Sequence, residues 1–428
     1  MTRGRPEPSA AGLRSRTIRL LFAVLAVAAA AIVGAGVYAP RTNETLAALE
    51  KSVEANPEDF AAWNKIAEAR LRLLSSTGDL TNLAAAAAAL ERSLKIAGPD
   101  SNRAGLALRT RVELASHRFK EARQSAEQLR AIMPESAYPL GLLGDAYLNL
   151  GDYAACERAW NEMLAKDQSL LASEPRLAQL DLVHGRCAKA GERYGKIVEA
   201  ARPLEKEAPE VLAWAHVLGG ELAFRSGDWE KAGQQYDAAL MAMPDYYSAL
   251  EHKAELRGAQ GQLDEAVALY QRVINHTARP EIMQALGDLY LFAGKTAEAQ
   301  PWHERALKGY LASVERGEVL YFHHLAGLYA DSLSEPERAL DFARRDFALR
   351  QSIQSYDTLA WALYRTGLTS EAAETISHAL VTGTKDPHIL YHAGTILMRA
   401  GNIPTGTARL QEALAANPRY NSFHVHRG

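Results

Sequence analysis

The sequence predicts an all-α chain: one N-terminal apolar helix, then a superhelical solenoid of about ten helix-turn-helix repeats. Three observations predict it. Residues 20–39 form an uncharged apolar run. Beyond them, small residues, glycines and prolines recur in one register, with neighbours such as Gly151 and Gly185 lying 34 residues apart. Large apolar residues fall between them at spacings of three and four, the period of a helix with one buried face. Composition then narrows the function. Among 428 residues the net charge is −3, which lacks the basic footprint of a nucleic-acid binder. Thirty glycines and 17 prolines are ordinary numbers and exclude a collagen-like or broadly disordered chain. Two cysteines, Cys156 and Cys187, exclude a disulfide-stapled scaffold and a thiolate-rich metal site.

The first element is the run from Leu20 to Ala39. Twenty helical residues span about 30 Å, the thickness of a hydrocarbon core. Arg3, Arg5, Arg14, Arg16 and Arg19 precede it with a single acid, Glu7. The positive-inside rule therefore expects residues 1–19 in the cytoplasm and the rest across the inner membrane. An uncleaved signal anchor is the first reading. A cleaved signal releasing a periplasmic protein is the alternative, with Val37-Tyr38-Ala39 as the small-x-small site and Pro40 opposing the cut. A buried helix of a cytosolic protein is the third, set against the five arginines. Residues 40–57 read as a linker.

The repeats follow. The clearest unit has Leu140, Leu143, Gly144 and Tyr147, then Gly151, Cys156, Trp160 and Met163. Small residues of the first helix recur at Gly144, Ala178, Gly220, Ala254, Gly287, Ala326, Ala360 and Gly394. Turn glycines recur at Gly151, Gly185, Gly227, Gly261, Gly294, Gly367 and Gly401. Small residues of the second helix fall at Ala122, Cys156, Ala190, Ala232, Ala266, Ala299, Ala339 and Ala372, and prolines near the unit ends. Small residues let two helices approach to about 8–10 Å. Glycine takes the left-handed turn, and proline stops the second helix. Repeats 1–4 are placed in 58–204, the first one degenerate. Residues 205–212 form an insertion, repeats 5–10 occupy 213–420, and 421–428 are a tail. A shorter insertion lies near 313–318.

This pattern resembles the tetratricopeptide repeat, W-x2-L-G-x2-Y followed by A-x3-F and P, over residues 58–420. The runs 356–367 and 389–401 are similar to the C-terminal repeats of membrane-anchored or exported bacterial proteins of that kind. The resemblance implies that the first helix of each unit lines a concave groove. By register the groove then receives Trp214, Glu221, Phe224 and Arg225 from the fifth unit. The seventh gives Gln284, Asp288 and Phe292, and the eighth Leu320, His323 and Asp331. The ninth gives Asp357, Trp361, Tyr364 and Arg365, and the tenth His388, Tyr391, Met398 and Arg399. Trp361, Tyr364, Arg365, Tyr391 and Arg399 form an aromatic and basic cluster of the composition enriched at binding hot spots. The competing reading is that Arg419–Gly428, with Tyr420 and Phe423, folds back over these rings.

Other motifs carry less. Gly294-Lys295-Thr296 imitates the end of a phosphate-binding loop, but Leu289 stands where its first glycine belongs. G-x-S-x-G, H-E-x-x-H and C-x-x-C are absent from the sequence. No catalytic residue and no cofactor is expected. His388 and His392 share a helix face and offer two metal ligands; ordinary surface histidines are the simpler reading. His323 and His324 are adjacent, and His424 and His426 alternate near the C-terminus. Cys156 occupies a packing position, and Cys156–Cys187 pairing is disfavoured by the separation of neighbouring second helices. The expected function is a non-catalytic scaffold that binds a protein or peptide and assists assembly or maturation of an envelope complex. The alternative is an extracytoplasmic carrier of a small molecule or transition metal, using the histidines and C-terminal aromatic residues.

Overall fold

The computed structural model describes residues 38–419. The apolar run 20–39 lies outside the described residues except for its last two, and so does the tail 421–428 with Phe423, His424 and His426. Among the described residues no helix is long and apolar enough to cross a membrane. Every regular element there is a helix. The stretch expected as a linker is largely helical: α1 spans Tyr38–Ala55 and buries Leu46 and Val53 in the core of the first unit.

Ten helix pairs follow. Units 1 to 4 are α2 (Phe60–Thr77) with α3 (Thr81–Ile96), α4 (Arg103–Ala115) with α5 (Phe119–Ile132), α6 (Tyr138–Leu150) with α7 (Tyr153–Lys166), and α8 (Leu170–Val183) with α9 (Cys187–Ala201). Units 5 to 7 are α10 (Pro209–Arg225) with α11 (Trp229–Ala242), α12 (Tyr247–Ala259) with α13 (Leu263–His276), and α14 (Pro280–Phe292) with α15 (Thr296–Glu315). Units 8 to 10 are α16 (Phe322–Gly327) with α17 (Pro336–Leu349), α18 (Ile353–Arg365) with α19 (Thr369–Leu380), and α20 (Pro387–Arg399) with α21 (Ile403–Ala416). The insertion expected at 205–212 is shorter than the sequence suggests. Pro209, fit for a first helical position, starts α10 early and buries Val211 and Leu212.

Small residues bring each pair together as expected. A β-carbon on Gly144 would strike Trp160, and one on Gly220 would strike Tyr236. Gly287 meets His303 and Gly394 meets Leu410 in the same way, each partner 16 residues on. All seven expected turn glycines have φ between 69° and 89°. Gly78 does the same for unit 1, while His117 and Ser334, both at φ 56°, take that conformation in units 2 and 8. In unit 8, Ala339 stands 13 positions after Ala326, where the offset in other units is 12. A π-helical turn at Leu328–Ser332 absorbs the extra residue.

The superhelix closes on itself. The turns within units 1–5 rest on the loops that end units 6–10. Gly78 packs on Arg279, and His117 lies 5.8 Å, ring to ring, from His323 in α16, the helix that follows the unit 7 loop. At the third turn, Gln351 N–H donates to the Leu150 carbonyl at 3.2 Å and Ile353 N–H to the Tyr153 hydroxyl at 2.8 Å. His184 Nδ1 lies 3.3 Å from the Thr382 carbonyl at the fourth. At the fifth, Asn417 donates to the Phe224 carbonyl at 3.5 Å. Here two turn glycines have a second reason to be glycine: a β-carbon on Gly151 or Gly185 would strike the backbone carbonyl of Gln351 or Gly383. Closure narrows the concave face to a channel.

Candidate functional site

Two adjoining cavities remain in that channel. The larger, about 450 Å³, is lined by Glu221, Phe224 and Arg225 of α10, His252 and Glu255 of α12, and Asp357 and Thr358 of α18. Asp386, His388 and Asn417 also line it. The smaller, about 210 Å³, is lined by Gln284, His323, His324, Trp361 and His392 and shares Asp357, Thr358 and His388 with the first.

The residues expected to form the groove divide. Trp214 is 2% exposed and belongs to the core of units 4 and 5. Phe224 is 6% exposed, packed with Ala232 and Tyr236, and lines the larger cavity. Trp361 faces the channel as the register requires, but it is 3% exposed. Its indole N–H donates to Asp331 at 3.0 Å and its ring stacks on His392 at 4.0 Å, nearly parallel. Tight winding presses α16, α18 and α20 together, and Trp361 fills the seam, so an open aromatic hot spot does not form. Tyr364 lies 5.0 Å from Trp361 and is half-buried, as are Arg365 and Tyr391; Arg399 is exposed. Arg365 and Arg399 line neither cavity.

What converges instead is polar. Arg225 reaches Asp386 at 3.4 Å across the closure. His252 is held between Glu221 at 2.9 Å and Glu255 at 3.3 Å. Burial alone would lower its pKa, but the two glutamates raise it well above the ordinary value, and the same contact lowers that of Glu221. In the smaller cavity the sign reverses. Burial, with His324 and Arg350 nearby, pushes the His323 pKa well down, and burial lowers that of His324 to about 4 against the opposing Glu281 carboxylate. Between the cavities, His392 Nδ1 donates to Asp357 Oδ1 at 2.9 Å, and His388 Nε2 lies 3.7 Å from Oδ2.

The sequence reading missed His252, Glu255 and Asp386. Glu255 stands nine residues into its unit, the place Glu221 holds in unit 5, and the groove register applied to unit 6 finds it. Asp386 precedes Pro387 and caps α20 by accepting from the backbone N–H groups of His388 and Ile389. Cys156 is buried and Cys187 half-buried, both as free thiols. Gly294-Lys295-Thr296 forms only the turn between α14 and α15.

Residues 217–281, from α10 through α13 into the start of α14, match the model of the tetratricopeptide repeat. Within that stretch the repeats are tetratricopeptide repeats. The matched residues include the Gly220–Tyr236 contact and the left-handed turns at Gly227 and Gly261. Two solved structures are similar to this repeat array. The hetero-tetramer Cut9–Hcn1 of the APC/C shares 12% identity, with 90% of this chain and 92% of that one covered at a TM-score of 0.35. The human IFIT1 dimer with PPP-AAAA shares 14% identity, with 87% and 86% covered at a TM-score of 0.41. No curated protein matches the chain in sequence.

Proposed function

We propose that this tetratricopeptide chain is a non-catalytic scaffold that holds a short segment of a protein partner in the larger cavity. Residues 20–39 anchor it in the inner membrane with the N-terminus in the cytoplasm, and the repeats assist assembly or maturation of an envelope complex on the far side. The five arginines before residue 20 support that orientation. The observation that carries the binding reading is the cavity itself. Its volume of about 450 Å³ is that of a ligand site. Its wall sets four carboxylate residues, Glu221, Glu255, Asp357 and Asp386, against Arg225 and His252, whose pKa the two glutamates raise. An acidic wall complements a partner segment that presents a lysine or arginine.

The test is a positional peptide library bound to the full chain in detergent. Enrichment of basic positions is the expected result. Glu221→Gln with Glu255→Gln should weaken the selected peptides by about tenfold, equivalent to about 1.4 kcal/mol, with the fold retained. Selection of acidic or uncharged peptides, or affinity unchanged by the double substitution, contradicts the reading.

A further inference from the structure

The geometry points to a divalent transition-metal site formed by Asp357, His388 and His392, where the two cavities meet. This goes beyond the scaffold reading, and although Asp357 and His388 also line the larger cavity, its test uses the metal alone and leaves Glu221 and Glu255 untouched. The sequence offers only the His388–His392 pair. Folding supplies the third donor by packing α18 against α20, so that one donor atom from each residue lies within 4.8 Å of the other two. Two imidazoles and a carboxylate are a donor set for a borderline ion such as Zn²⁺ or Co²⁺. In a tetrahedral site with bonds of about 2.0–2.2 Å, donors stand about 3.3 Å apart. The 2.9 Å and 3.7 Å separations at Asp357 fall on either side of that value.

The surroundings hold the donors in place. Trp361 lies flat against the His392 ring, and Asp331 fixes Trp361 through its indole N–H. Such support of a ligating ring is what orients its nitrogen toward an ion. Asp357 and His392 are buried, while the His388 side chain is 32% exposed and lines both cavities. A pair that served packing alone would need only Asp357 and His392. The third donor, with a cavity of about 210 Å³ beside it, leaves room for the ion's remaining ligand.

The test is equilibrium dialysis of the full chain in detergent against Zn²⁺, with His424→Ala and His426→Ala removing the tail histidines. About one ion per chain is expected, together with a visible absorption band when Co²⁺ replaces Zn²⁺. Asp357→Asn and His388→Ala should each weaken binding by at least the roughly 10–100-fold that loss of a supporting partner alone costs. His388→Ala keeps the proposal testable should Asp357→Asn disturb folding, because His388 sits at the channel surface. Absence of one-to-one binding in the parent overturns the site. So does binding that survives both substitutions in chains whose circular dichroism is unchanged.

Discussion

Trp160→Ala is expected to destabilise unit 3 by about 3–5 kcal/mol. Trp160 is almost wholly buried, packs against Cys156, Met163, Leu140 and Leu180, and donates its indole N–H to the Gly141 carbonyl at 3.3 Å. Gly144 leaves the space its ring occupies. Alanine there opens a cavity between α6 and α7 that neither helix can close, because unit 4 on one side and the Gln351 segment on the other fix their positions. Repeat arrays lose stability locally. Hydrogen exchange of α6 and α7 should therefore accelerate far more than that of α12 and α13. Equal acceleration along the whole chain would mean that the array unfolds as one unit.

Arg176→Ala should have an effect of the same size for an electrostatic reason. Arg176 of α8 grips Asp145 of α6 with two hydrogen bonds, 2.8 and 2.7 Å, and also donates to the Ala172 carbonyl. Both side chains are buried. Burial raises the Asp145 pKa, and Arg176 opposes the rise. Removing the guanidinium strands a buried carboxylate, which typically costs about 3–5 kcal/mol. The sign of the pH dependence follows. Without Arg176 the folded-state pKa of Asp145 climbs further above its unfolded value. The variant is then least impaired near the unfolded carboxyl pKa of about 4, and its deficit grows as pH rises. Urea denaturation at several pH values checks this. Asp145→Leu combined with Arg176→Met should recover most of the loss; a double variant as weak as Arg176→Ala would show that the pair holds the helices by more than charge.

How far the fold was legible depends on the range of the contacts. Turn glycines and small residues act within one unit, at offsets that recur, so Gly144 beside Trp160 and the turn at Gly151 could be read from spacing. His117 and Ser334 could not, because nothing local distinguishes a histidine or serine held at positive φ from one in ordinary backbone. Closure was not legible either. It joins the Leu150 carbonyl to the Gln351 amide and Tyr153 to the backbone of Ile353, and the glycine it requires at 151 is already required by the turn. The groove register placed Trp361 on the correct side of α18 and Asp331 in the same groove, but spacing alone could not show that Asp331 and His392 close over the Trp361 ring. The same convergence gave His388 and His392 their partner, Asp357, a residue the sequence assigned to the groove for a different reason.

Closure of the array rests on the contacts between the turns of units 1–5 and the ends of units 6–10. Its most direct test is a short bifunctional maleimide applied to a full-length chain carrying His184→Cys and Thr382→Cys, with its own thiols removed by Cys156→Ala and Cys187→Ser. The His184 ring and the Thr382 carbonyl are 3.3 Å apart. Closure predicts near-complete cross-linking within single chains, at a yield independent of protein concentration. No cross-link, with both thiols reacting freely with a monofunctional maleimide, would mean an open superhelix and a channel that does not exist in solution.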